Sequence, residues 1–411
     1  MPLLYNECGY DSGGYQASGV TTTIVSSVGV GRTYETLADW VTARKGDLTS
    51  PCRDTIEIAE VYGGGNVGDL NIISADGWVT DATHYIHVRA AIGQTHQGLF
   101  NRNRAYIANP NANGNPSVNI YGVGNITVGP GISIESANNG GSASAAILLV
   151  QNIATDSPVL FDSLIVRPYS GGGATGGWIC AMGFLDSPGA TGHIIKNCAI
   201  YDSPTNILWR AIFTNNTGGG NPKVYAYNNT ISIHPQVFTR VLQSTAGTIT
   251  SQNNYFSSSV VGNVYGTSGV VKGGNDATSD SEALNSLLQN VPYSTLTFQN
   301  VTSNSENFQL MMLAGNKLIN GGADLTSLGV TVDIIGMPRP QEGAFDIGAF
   351  ENNIPVCWNY TARYKNSDKL FKASGCGPFP RTFHIPRNVD TSTGRMVDDG
   401  ILINPDEYQI V

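Results

Sequence analysis

Charge is what this chain has least of. Asp, Glu, Lys and Arg make up 13% of its 411 residues, about half the usual share of roughly 25%. The 22 Lys and Arg stand against 31 Asp and Glu, for a net charge of −9. Phosphate backbones need clustered cations, so nucleic acid is not an expected partner. Cysteine is scarce as well. Cys8, Cys52, Cys180, Cys198, Cys357 and Cys376 are too few for a disulfide scaffold, and no pair has the C-x-x-C spacing of a zinc site. Cys180 and Cys198 lie close to one repeat apart and read as stacked buried thiols. Cys357 and Cys376 bracket part of the C-terminal region, and for them a disulfide and inert thiols both stay open. His84 and His87 sit three apart in a strand-like run, where they face opposite ways, and the other histidines are scattered. Neither a metal nor a cofactor is expected.

Long apolar runs are missing too. The stretch ending at Val150 is among the longest, far short of a membrane span. The first residues have no basic segment followed by an apolar one, so export by a secretory signal is not expected. The glycine triplets at 63–65, 171–173 and 218–220 are not followed by Lys-Ser or Lys-Thr, which argues against a phosphate-cradling loop.

What the chain does have is glycine and short β-branched runs. Glycine accounts for 49 residues, about 12% against a usual 7% or so. Between Gly, Asn and Ser turns come runs such as 55–61, 70–73, 85–89, 118–121, 126–128, 132–134 and 146–150. Strands this short, with no helices between them, exclude βαβ units. A strand–pivot–strand unit recurs around Asp162, Asn197, Asn228 and Asn253, at a spacing that fits solenoid rungs with loops of variable length. Asparagine tolerates the left-handed backbone of a corner, and its amide can bond to the same position one rung away, so the three asparagines read as an internal ladder. Before these runs, Tyr34, Leu37, Trp40 and Val41 fall at helical spacing ahead of Lys45 and Gly46, which predicts an amphipathic helix over the first rung.

The central rungs are poor in acid. Between Ser136 and Val270 the acidic residues are Asp156, Asp162, Asp186 and Asp202, with no glutamate. Polysaccharide-cleaving chemistry needs paired carboxylates or clustered acids with a cationic base. The available candidates are Asp162, Asp186 and Asp202 converging on one face, with Arg210 or Lys196 as base. Corner and turn roles fit these residues better, and no catalytic residue is assigned.

The segment from Asn307 through Asn320 to the run 333–351, DIIGMPRPQEGAFDIGAFE, resembles the closing segment of right-handed parallel β-helix proteins of the pectate-lyase-like type. Residues 77–98, together with Tyr34 to Trp40, resemble a β-helix family of tailed bacteriophages and prophages. The resemblance spans roughly residues 29–351. It implies an all-β right-handed parallel β-helix solenoid with an N-terminal capping helix, in which Asp333, Arg339, Asp346 and Glu351 form a fold-closing motif and Arg339 bridges buried carboxylates. A terminal cap of this kind would stop the last rung from recruiting strands.

Three segments follow from these readings: an N-terminal arm over 1–28, the β-helix body with its cap over 29–354, and a small C-terminal docking module over 355–411. The last holds seven Lys and Arg against six Asp and Glu, so the acidic bias ends there. Its apolar finish at Tyr408, Ile410 and Val411 reads as a strand available to a neighbour's sheet edge. The implied role is a non-enzymatic structural protein on the exterior of a tailed-phage virion, in capsid decoration. The alternative is a tail spike or fibre that binds or cleaves host surface polysaccharide. The expected partners are other virion proteins, either the major capsid protein or tail proteins. A host surface glycan and a homotrimeric assembly are further expectations, while a membrane is not. The virion is the expected location, after synthesis in a host cytoplasm.

Overall fold

The short β-branched runs become the rungs of a parallel β-solenoid. The computed structural model describes residues 21–410 except 51–52, 110–114, 137–145, 154–156, 169–179, 186–191, 203–206, 216–219, 235–239, 267, 314, 342, 353–356, 365–369, 377–387, 390–395 and 398–407. It divides into two units, Met1–Asn352 and Asn353–Val411.

In the first unit the described strands stack into three parallel sheets. The first holds nine, in the order Thr22–Val28, Thr55–Val61, Ile86–Ala90, Ile126–Val128, Val159–Asp162, His193–Lys196, Lys223–Tyr227, Thr248–Gln252 and Val270–Val271. The second holds seven, from Tyr106–Asn109 through Ser133–Ser136, Ile165–Pro168, Ala199–Tyr201, Thr230–Ile233 and Tyr255–Ser258 to Ala277–Thr278. The third holds six, from Leu70–Ile73 through Val118–Tyr121, Ala146–Gln151, Cys180–Leu185 and Arg210–Asn215 to Leu242–Ser244. From Ile86 to Gln252 the chain visits the sheets in that rotation, and the solenoid has about six turns. The last turns are the shortest, since the register steps from Ile86 to Ile126 in the first half but only from Ile249 to Val270 at the end.

The first sheet starts earlier than the sequence predicts. Thr22–Val28 pairs in register with Thr55–Val61, so the expected arm over 1–28 loses its last seven residues to the solenoid. The reason lies in its β-branched composition, TTIVSSV. The predicted helix forms over Leu37–Arg44, shorter than the pattern implied, and starts at a capping box. Thr36 Oγ1 accepts the Asp39 amide at 3.1 Å, and Asp39 Oδ2 accepts the Thr36 amide at 3.2 Å. Leu37, Trp40 and Val41 join the solenoid core.

Inward side chains of the three sheets form one continuous core that includes Val88, Val128, Phe161, Ile195, Ile231 and Phe256. Each such side chain contributes about 1.5–3 kcal/mol by leaving water. Strands of the second sheet are buried on both faces. Val166, Ile200 and Phe256 point in, while Ile165, Ala199 and Tyr255 belong to a second cluster with Phe298, Phe308, Leu318, Ile347 and Phe350. That cluster is the packing of residues 283–350 against the outer face of the second sheet.

The corners behave as predicted, with one shift and one substitution of roles. Asn197, Asn228 and Asn253 take left-handed backbone with φ of 55, 50 and 58°. In the preceding turn the corner is Ser163 at 53°, and not Asp162, which is the last ladder residue and pairs in register with Lys196. The amide ladder runs mainly through the next residue along. The Asn254 amide is accepted by Asp276 Oδ1, the Asn229 amide by Asn254 Oδ1, and the Cys198 amide by Asn229 Oδ1, each at 2.9 Å. Of the corner asparagines, Asn253 reaches Asn228 at 3.3 Å, whereas Asn197 reaches Asp162.

The two central cysteines do not stack. Cys198 lies in the main core, but Cys180 lies in a separate buried cluster with Ala146, Leu149, Leu185 and Phe213. A turn here is longer than their separation, so Cys180 has Arg210 as its register partner.

In the second unit Cys357–Tyr364 pairs antiparallel with Leu370–Cys376 on one side and with Tyr408–Ile410 on the other. Asn388–Val389 and Met396–Val397 form a further antiparallel pair. The finish expected to be a free strand is therefore taken up within its own unit, with Tyr408 opposite Tyr364 and Ile410 opposite Ala362. Val411 lies outside the described residues. Among the described residues no helix is long and apolar enough to cross a membrane.

Candidate functional site

Of the sequence candidates for catalysis, Asp162 and Lys196 meet, whereas Asp202 and Arg210 stand on other sheets. Asp162 ends a strand of the first sheet, where it accepts from Ser163 Oγ at 2.8 Å and lies 3.4 Å from Lys196 Nζ. Lys196 also donates to the Gly329 carbonyl at 2.7 Å. Arg210 opens a strand of the third sheet, stacks on the Phe213 ring and donates to Gln243 Oε1 at 2.6 Å. Asp186 lies outside the described residues. Convergence fails because a strand end in the first sheet and a strand start in the third occupy different sides of a three-sided solenoid.

Asp202 is the candidate with a catalytic type of neighbour. It follows a strand of the second sheet and is buried. Its Oδ2 accepts the Leu208 amide at 2.6 Å and the His234 amide at 3.0 Å, and its Oδ1 lies 2.6 Å from His234 Nδ1. Burial pushes the Asp202 carboxyl up, against the His234 hydrogen bond that pulls it down. That same bond raises the histidine. A carboxylate on Nδ1 fixes the ring tautomer and leaves Nε2 as the reactive nitrogen.

Glu306, the residue just before the strand Asn307–Leu310, sits within electrostatic reach. Burial raises its carboxyl first, and the Asp202 charge raises it further. Oε1 accepts the Asn304 amide at 3.0 Å, whereas the buried Oε2 has no hydrogen-bond partner. Sequence reasoning missed both residues. In the sequence His234 is one of several scattered histidines, and Glu306 lies outside the acid-poor central rungs. The only signal was the position of His234, one turn after Asp202 at the same end of a second-sheet strand.

A second polar node lies on the outer flank of the second sheet. Glu135 Oε2 accepts from Arg102 Nε at 2.8 Å and from Tyr106 Oη at 2.7 Å, and Oε1 accepts from Arg167 Nε at 2.6 Å. Arg167 also lies over the Phe100 ring, 3.6 Å from its centroid. A carboxylate held by two guanidinium groups and a phenol is a fully engaged anchor, with little left for a substrate.

The predicted fold-closing residues do meet, but away from the last rung. Arg339 donates to Glu351 Oε2 at 2.8 Å, to the Gly348 carbonyl at 2.8 Å and to the Asp346 carbonyl at 3.1 Å. It therefore bridges one carboxylate and two carbonyls. The Asp346 carboxylate instead accepts the Asn320 amide at 2.6 Å and the Asn352 amide, and Asp333 accepts the amides of Ile335, Met337 and Glu351. Backbone amides are the cheapest donors for buried carboxylates whose cations are elsewhere.

This clasp runs back along the solenoid as a strap. Asn253 donates to the Ala323 carbonyl, Asn228 to the Asp346 carbonyl, and Thr230 Oγ1 accepts the Ala349 amide. Phe350 reaches the turn after Ile86–Ala90, where a Cβ on Gly98 would come within 2.7 Å of its ring. The last rung is closed by other residues. Asp280 accepts the Gly262 amide, and Glu282 accepts those of Val264 and Tyr265 at the end of the third sheet. Carboxylates bonded to edge amides remove the donors a foreign strand would need.

Among the described residues no group of three or more His, Cys, Asp and Glu side chains is placed to hold a metal ion. The register and the three-sheet rotation define the protein as an all-β parallel β-solenoid, with polar anchors turned toward its own loops. The pectin methylesterase from Aspergillus niger is similar to it at 10% identity and a TM-score of 0.31, over 76% of this chain and 95% of that one. The solenoid assignment rests on strand pairing and not on that likeness. No protein-family model matches the chain, and no curated protein matches it.

Proposed function

We propose that the protein is a non-enzymatic structural component on the exterior of a tailed-phage virion, in a capsid-decorating role, attached through its C-terminal unit to the major capsid protein or to tail proteins. One observation carries the non-enzymatic part. The carboxylates of the central turns that are described are spent on the fold, with Asp162 on Ser163, Asn197 and Lys196, and Asp202 on the Leu208 and His234 amides. The virion part is supported by the resemblance of residues 29–351 to phage β-helix proteins. Mass spectrometry and imaging of purified particles should find the chain at stoichiometric, surface-exposed positions. Particles that lack it would sink the proposal.

A second reading has one observation in its favour. Asp202, His234 and Glu306 assemble an oriented imidazole and two carboxyls raised by burial, which is acid–base equipment of the kind a polysaccharide-cleaving spike would use. Incubating the purified protein with host capsule or lipopolysaccharide separates the two. The structural reading expects no release of reducing ends or unsaturated uronates. Release that Asp202→Asn and Glu306→Gln both abolish would establish the second reading.

A further inference from the structure

We propose that Cys357 and Cys376 form a cross-strand disulfide that closes the hairpin of the C-terminal unit when the protein meets an oxidising medium. The strands Cys357–Tyr364 and Leu370–Cys376 run antiparallel, and their register places Cys357 directly opposite Cys376. The ladder then continues without a slip from Trp358 opposite Gly375 to Arg363 opposite Leu370. Directly opposed residues share one face of the pair, and their Cα atoms lie about 5.5 Å apart in a hydrogen-bonded pair or about 4.5 Å apart in a non-hydrogen-bonded one. Disulfides accept Cα separations of about 4.4–6.8 Å, so either kind of pair is within range.

The position in the hairpin gives the bond its consequence. Cys357 and Cys376 form the pair farthest from the connecting segment 365–369, so a bond there encloses both strands in one ring. It also fixes the central strand, whose other edge carries Tyr408–Ile410. The two described thiols elsewhere, Cys180 and Cys198, are both buried, and burial raises both, Cys180 to about 12. Thiolate is the attacking species in exchange, so those two are poor competitors.

Glutathione disulfide is a sufficient oxidant. One cysteine thiolate attacks it and expels one glutathione thiol, leaving a mixed disulfide. The second cysteine thiolate attacks the protein sulfur of that bond and expels the second glutathione thiol. Two protein thiols are oxidised, one glutathione disulfide is reduced, and the two protons end on the two glutathione molecules.

The test uses the full chain, purified reduced, then equilibrated with glutathione disulfide, alkylated and digested with trypsin. The expected product is one crosslink between the peptide ending at Arg363 and the peptide 373–381. Cys357→Ser should leave Cys376 carrying glutathione, and Cys376→Ser the reverse. Amide exchange in 357–364 and 370–376 should slow by about two orders of magnitude on oxidation, as expected for a ring of this size. Both thiols alkylated at full oxidant excess, or either one bonded to Cys8 or Cys52 instead, would overturn the proposal.

Discussion

Replacing Arg339 by Met should loosen the strap without unfolding the solenoid beneath it. The guanidinium is fully buried. Among the described residues it is the one cation paired with Glu351, and it donates to the carbonyls of Asp346 and Gly348. Methionine fills similar volume but leaves Glu351 holding only the amides of Gln341 and Asp346. Removing one partner of a buried pair costs about 3–5 kcal/mol. The strap carries its own apolar cluster, separate from the main core, so the loss should appear first as local opening. The sensitive amides are Ile347, bonded to the Leu318 carbonyl, Gly348, bonded to the Asn253 carbonyl, and Ala349, bonded to Thr230 Oγ1.

Hydrogen exchange at those three amides should quicken by roughly two to three and a half orders of magnitude at pH 7, while Val128 and Ile195 keep their protection. Acid provides the control. Burial already raises the Glu351 carboxyl and Arg339 lowers it, so losing the cation lifts it further. A carboxyl whose folded pKa is raised favours the folded state once it is protonated. Its penalty should therefore shrink as pH falls through that raised value, and the variant should approach the wild type near pH 4. Exchange within fivefold of wild type at pH 7, or a penalty unchanged at pH 4, would refute the reasoning.

Three further outcomes follow from polar groups. Asn254→Ala removes the acceptor of the Asn229 amide and a donor to Asp276 and to the Ala226 carbonyl, so thermal or denaturant unfolding should show a loss of about 1–3 kcal/mol for each group left bare; a loss under 1 kcal/mol would mean that water replaces the ladder. Burial holds His96 and His193 down to about 4, and the His96 ring accepts the Gly98 amide and reaches the Ser163 carbonyl, a neutral arrangement. A depressed histidine contributes stability above its unfolded value and loses it as pH falls, here between about 6.5 and 4, on the order of 3 kcal/mol each. Imidazole titration followed by NMR should place both well below 5. His84 should move the other way, because it lies 2.8 Å from both Asp54 and Asp81 and their hydrogen bonds raise it. An ordinary value for His84 would mean that Asp54 and Asp81 do not hold its ring.

The rungs were legible because their chemistry is local. β-Branched runs between Gly and Asn turns specify strands, and the Thr36–Asp39 pair specifies a helix start. The corner residues were legible for the same reason, and the slip at Asp162 shows the limit. Serine at 163 took the left-handed position, although the residue type favours that conformation less than asparagine does. The site residues were not legible, since His234 reaches Asp202 only through the stacking of one turn on the next. Glu306 arrives from just ahead of a strand, more than a hundred positions after Asp202.

The strap, by contrast, left a signal that single-sheet reading overlooks. A solenoid sheet that faces water on its outer side should alternate buried and more exposed positions, and Leu70–Ile73 and Val118–Tyr121 do so. The second sheet does not, because Ile165, Ala199 and Tyr255 are apolar at outward positions beside inward Val166, Ile200 and Phe256. Leaving three such positions in water on one face would expose an apolar row broken by Thr230, so the pattern itself demands a covering layer. The chain provides one in the segment after the last rung, which carries Phe298, Phe308 and Phe350. Its length follows from the same requirement. The outward row from Ile165 to Ala277 is apolar except at Thr230, and the strap must return along it before Arg339 and Glu351 can lock it in place.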